Sequence, residues 1–157
     1  MIDSMTVMRD AAQRLGTALA AAGVTGWAVV TDGAPPRVAD ARVVELRLVS
    51  CAPVVNGLST YRLDCQLVLR GRADNEAQAA VTAADVSALF AVAQRCMQGL
   101  PGVQVTVGGE PIAQYLDSRL DQLASGVLAE SMQVAPVGAL ALWVHFADDF
   151  SESEQRD

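Results

Sequence analysis

Residues 60–70, TYRLDCQLVLR, alternate in polarity: Tyr61, Leu63, Cys65, Leu67 and Leu69 fall on one side of an extended chain, and Arg62, Asp64, Gln66 and Arg70 fall on the other. A period of two marks a β-strand with one face buried and one face in water. The preceding stretch VVELRLVSC, residues 43–51, repeats the pattern, with Val44, Leu46 and Leu48 opposed to Glu45 and Arg47. Asn56-Gly57 lies between the two runs and is a strong hairpin signal. Residues 43–70 are therefore predicted to form an antiparallel hairpin with a dry and a wet face, which needs helices or a second sheet to cover the dry one.

Helical spacing appears twice. Met5, Met8, Ala12, Leu15 and Leu19 recur at intervals of three, four and seven, with Ser4 as a candidate cap and Gly23 as a stop, which predicts a helix over residues 4–22. Val86, Leu89, Phe90, Ala93 and Met97 predict a second helix over about residues 76–98, capped by Asp74 or Asn75 and ended by GLPG. GWAVVTDG, residues 26–33, reads as a short strand, and VQVTVGG as another with Val103, Val105 and Val107 inward. Residues 112–123 are ambiguous: Leu116, Leu120 and Leu123 suggest a helix, whereas PIAQYLD is compatible with a strand start. VLAESMQVAP and ALALWVHFAD are expected to be two last strands, with Pro136 and Gly138 between them. The fold class expected is α+β, a mostly antiparallel sheet with two main helices on one face. Residues 1–147 form its single domain, and the charged residues 148–157 are expected to fray.

Composition narrows the function. Hydrophobic residues make up 52 % of the 157 positions and aromatics only 4 %, so Ala, Val and Leu must build the core. The net charge of −7 argues against a general nucleic-acid binder, because phosphate neutralisation needs clustered cations. All eleven cations are Arg, which with the abundance of Ala and Gly reads as coding bias. Cys51, Cys65 and Cys96 are widely spaced at apolar positions without a CxxC, and are expected to be reduced core residues in a reducing compartment. The N-terminus lacks the apolar segment of a secretory signal, and no apolar run is long enough to span a bilayer.

Chemistry-bearing constellations are sparse. His145 is the sole histidine; Asp148 and Asp149 follow it in sequence, but no spacing ties them to it as general base and partner. Asp117 and Asp121 would share a helix face if residues 112–123 were helical, and need further ligands to hold a cation. The paired glycines of VTVGGEP match neither GxGxxG nor GxxxxGK[ST]. Trp27 and Trp143 are expected to be core or interface anchors. No catalytic, cofactor-binding or metal-binding set is assigned. The segment APPRVADAR, residues 34–42, is excluded from a central strand by Pro35 and Pro36 and reads as a loop or arm able to reach a neighbour.

An N-terminal amphipathic helix, a strand, a Pro-containing loop, a β-hairpin, and then CQLVLRGRADNEAQAAVTAADVSALFAVAQ resemble the tail terminator (tail completion) proteins of long-tailed bacteriophages over about residues 8–147. The resemblance implies a structural virion protein, not an enzyme and without cofactors. Such a protein is assembled in the host bacterial cytoplasm into a homo-oligomeric ring, usually a hexamer, that ends in the virion tail. The ring caps the tail tube, stops its polymerisation and joins it to the head-tail connector protein, with DNA as passing cargo and no membrane partner. Under this reading Tyr61, Arg62, Asp64, Arg70 and Arg72 on the hairpin and its exit, and Pro35, Arg37 and Arg42 on the arm, are the expected subunit or partner contacts. Three alternatives stay open: another neck or head-closure protein, a generic protein-binding accessory module, and a small α+β enzyme using His145 with Asp148 or Asp149.

Overall fold

The structure is a computed structural model, described here for residues 4–24, 27–31, 42–54, 59–71, 83–122 and 134–147. Helix α1 spans Ser4–Ala21 and helix α2 spans Ala83–Gln98. The strands are β1 (Ala28–Thr31), β2 (Arg42–Pro53), β3 (Thr60–Gly71), β4 (Gln104–Val107), β5 (Glu110–Gln122) and β6 (Val134–Phe146). They form one sheet in the order β1-β2-β3-β6-β5-β4, antiparallel throughout except for the parallel pair β1-β2. The fold is α+β, as the polarity pattern predicts.

The period of two decides which face is dry. Leu63, Cys65 and Leu67 on β3 pair with Leu142, Leu140 and Gly138 on β6, and all lie in the core. Both helices cover this same face. Met8 of α1 meets the Cys65 thiol at 3.5 Å, and Phe90 of α2 sits over Gly138. On α1 the buried stripe is Val7, Met8, Ala11, Ala12, Leu15 and Leu19, the spacing of a helix with one apolar face. Its end is a Schellman closure: Gly23 takes φ of 75°, its N–H donates to Ala20, and the Val24 N–H donates to Leu19.

Residues 112–122 are strand, not helix. Gly108 and Gly109 take φ of 60° and 84°, the sign that the central residues of a tight hairpin require, and they turn β4 back into β5. The helix-like spacing of Leu116 and Leu120 comes from a β-bulge. Ala113 and Tyr115 face the core before it, Ser118 and Leu120 face it after it, and the inserted Leu116 is 45 % exposed. Val107, expected inward, sits at the turn and is exposed, leaving Val105 as the buried β4 valine. The two strands expected at the end of the chain are one from residue 134 onward. Pro136 and Gly138 lie inside β6 at the bulge opposite Leu67 and Val68. A proline is tolerated there because the ladder is already interrupted. Residues 127–133 of the first of those runs, the start of the second helix with Asp74 and Asn75, Asn56-Gly57, and residues 148–157 lie outside the described residues.

Gly138 holds a packing position. A Cβ there would meet Phe90 Cε2 at 3.0 Å, Leu120 Cδ1 at 3.2 Å and Leu67 Cβ at 3.3 Å. One buried polar link fastens α1 to β5. The Tyr115 phenol, fully buried, donates to Asp10 Oδ2 at 2.7 Å with the Val7 carbonyl 3.3 Å away, and Arg14 Nε donates to the same Asp10 oxygen at 2.7 Å. Burial, and then the Asp10 carboxylate, push the phenol far above its ordinary range, while the hydrogen bond to Asp10 raises the Arg14 guanidinium.

Two stability outcomes follow from this packing. Gly138→Ala lowers unfolding free energy by about 1–3 kcal/mol, and Phe90→Leu in the same chain recovers part of that loss, because overpacking is relieved when the ring edge is removed; urea denaturation of the unaltered chain, the two single variants and the double variant checks it. Tyr115 is neutral in the fold at a pH where the unfolded chain ionises. Its stabilising share is therefore complete below its unfolded value of 10.0 and is lost as pH rises beyond it. Tyr115→Phe is expected to cost about 1–2 kcal/mol near neutral pH and to flatten the alkaline fall in stability, measured by denaturation between pH 8 and pH 11.

Candidate interaction surface

The side of the sheet turned away from α1 and α2 carries the polar halves of the alternating strands. Register sets the rows: Ala52, Arg62, Trp143 and Asp117 lie side by side, then Ser50, Asp64, Ala141 and Arg119, then Arg47, Gln66, Ala139 and Asp121. Arg62 is the centre of this array. Its guanidinium lies 5.2 Å from the Trp143 ring centroid and its Nε is 3.0 Å from Asp64 Oδ1, while the Ser50 hydroxyl donates to Asp64 Oδ2 at 3.3 Å. Arg119 pairs with Asp121 at 2.9 Å on β5, on the far side of β6. Between them runs an open groove of about 440 Å3, floored by Ala139 and Ala141, whose small side chains leave the space unfilled. Cation, carboxylate and aromatic are thus held in fixed relation on a rigid sheet, a mix suited to a protein partner.

Higher on the same face the surface closes. Val43, Glu45 and Val68 are buried, and the Glu45 carboxylate accepts from Arg47 Nη2 at 3.3 Å. Lower down it opens into strand ends. Residues 49–53 of β2 are all exposed, on both faces, with the bulged Val49 at 60 %.

The expected contact residues divide. Arg62 and Asp64 come together on the open face. Tyr61 turns to the core side, half-buried, with its ring edge-to-face on Phe146 at 5.6 Å. Arg70 and Arg42 are placed by backbone pairing alone, opposite Val43 and Gly71. Pro35, Arg37 and Arg72 lie outside the described residues. Trp143, Arg119 and Asp121 complete the surface. The alternation of ALALWVHF carries the signal for Trp143, since it sets that ring on the side of Ala139 and Ala141. Asp117 and Asp121 stand on one side of a strand with Arg119 between them, so they are not a helix-face pair.

The other constellations read from the sequence are not assembled among the described residues. His145 is half-buried on β6 between Thr60 and Gln114, and Asp148 and Asp149 lie outside the described residues. Among the described residues no three His, Cys, Asp or Glu side chains gather as a metal set, and no helix is long and apolar enough to cross a membrane. All three cysteines are free, but Cys51 is exposed, not in the core, because it lies past the bulge at the open end of β2. A second cleft, of about 610 Å3, separates α1 from α2 and is lined by Arg14, Arg95 and the half-buried Cys96, whose thiol burial pushes up. A protonated thiol is a packing group rather than a nucleophile.

No protein-family model matches the chain, and no curated protein matches it at a significant level. Arg62 and Trp143 are expected to couple by about 0.5–1 kcal/mol, the range for an exposed cation over a ring, in a double-mutant cycle of Arg62→Ala and Trp143→Leu followed by urea denaturation.

Proposed function

We propose that this chain is a structural subunit that acts by binding other proteins, and that it forms a tail-terminator ring at the end of a phage tail tube. The observation that carries the reading is the sheet face turned away from α1 and α2, where Arg62, Asp64 and Trp143 are locked together beside an unfilled groove. An exposed ion pair contributes only ~0–1 kcal/mol to folding, so this arrangement adds little to stability and is available for contact. Among the described residues the element order α1-β1-β2-β3-α2-β4-β5-β6 agrees with the order on which the resemblance rests.

In this function the ring is a homo-oligomer, a hexamer by the resemblance. One side of it meets the last ring of tail tube protein and blocks further addition, and the other side meets the head-tail connector. DNA passes through the lumen, where a net charge of −7 per subunit keeps the phosphates from sticking. The ring is built in the bacterial cytoplasm and ends in the virion tail. It has no catalytic step and takes no cofactor.

Light scattering after size exclusion is expected to give a species of six times the 16.4 kDa subunit mass, seen as rings by negative-stain electron microscopy. Added to polymerising tail tube protein, the chain is expected to yield short tubes closed at one end, and Arg62→Ala with Trp143→Ala to yield long uncapped ones. A chain that stays monomeric, with and without tubes, and leaves tube length unchanged counts against the proposal.

A further inference from the structure

Among the described residues the sheet has two half-edges without a strand partner. Strand β1 flanks β2 only along Val43–Leu46, and β4 flanks β5 only along residues 110–114, at the opposite end of the sheet. The lower part of β2, residues 49–53, and the upper part of β5, residues 116–121, therefore form the two outer borders of one four-stranded zone, β2-β3-β6-β5, at the same level. Each border carries a bulge that turns an apolar side chain outward, Val49 at 60 % exposure and Leu116 at 45 %. A strand border with exposed backbone is a template for another strand.

We infer that β2 of one copy pairs with β5 of the next, head to tail, so that the sheet continues from subunit to subunit. Direction supports it: β2 and β5 run opposite ways within one chain, so the next copy's β5 lies antiparallel beside β2. Charge supports it as well. When the rows of one copy are continued into the next, Arg47 stands opposite Asp121, and Ser50 stands opposite Arg119. The symmetrical alternatives are disfavoured. Pairing β5 with β5 about Arg119 sets Asp117 against Asp121 and Arg119 against its own copy, and like charges directly opposed destabilise a strand pair. Pairing β2 with β2 about Cys51 sets Pro53, which has no N–H, against the bulged Val49. A head-to-tail contact is heterologous, and it closes into a ring or runs on as a filament. The inference rests on the self-assembly proposed above and specifies the borders that carry it.

Cysteine trapping tests it. In a Cys51→Ser, Cys96→Ser background, Ser50→Cys and Arg119→Cys are made singly and together, and the full chains are oxidised and run on a non-reducing gel. Each single variant is expected to stay uncross-linked alone, the two mixed to give a dimer band, and the double variant to give a ladder. In parallel, Asp121→Arg is expected to weaken association at least tenfold while leaving the thermal midpoint within a few degrees. Cross-linking of Arg119→Cys with itself, a closed ring without any ladder, or a chain that never associates overturns the pairing. A ladder of open filaments with no closed ring upholds the pairing and overturns the terminator ring instead.

Discussion

Strand β3 against β6 is the pairing on which both faces of this molecule depend. It joins residues far apart in the chain, and every row of it does two things. Leu63 beside Leu142 and Cys65 beside Leu140 make the floor on which α1 and α2 sit. Arg62 beside Trp143 and Asp64 beside Ala141 make the open surface. Full burial of a leucine contributes about 1.5–3 kcal/mol, whereas an exposed ion pair contributes ~0–1 kcal/mol. The dry side therefore fixes the register, and the wet side is positioned by it. A one-residue slip would invert both sides together.

That hierarchy explains how much was legible in the sequence. The polarity period of β2 and β3 is set by burial of one side, and it survives into the structure row by row. The helices α1 and α2 were legible for the same reason, since each buries one stripe. The bulges were hidden. Each inserts one residue and shifts the phase of the alternation, so Leu116 and Leu120 mimic a helical interval although they sit on a strand. Pro136 was misleading in the same way: a rule that excludes proline from an intact ladder fails where the ladder is already broken.

The candidate surface was half legible. Arg62 and Asp64 follow from the polar side of β3 alone. Trp143 and the Arg119–Asp121 pair needed the strand order, which places β6 beside β3 and β5 beyond it although a helix and β4 intervene in sequence. Tyr61 shows the converse: it was named for its place on the hairpin, but it belongs to the packed side and meets Phe146. Cys51 escaped the core for a reason no local pattern contains, namely that it lies past the bulge at Val49, where the end of β2 is exposed.

The tight Gly108-Gly109 turn has a kinetic consequence. It makes β4-β5 a local unit that can form within microseconds, and the β2-β3 hairpin is local as well. The central β3-β6 ladder has to wait for a large loop to close, an entropic toll that slows folding through non-local contacts. Until it closes, β3 and β6 each lack the partner that completes their ladder. The slow closure of β3 on β6, against the fast turn of β4 into β5, sets the window in which a strand of a neighbouring chain can take the place of the proper partner.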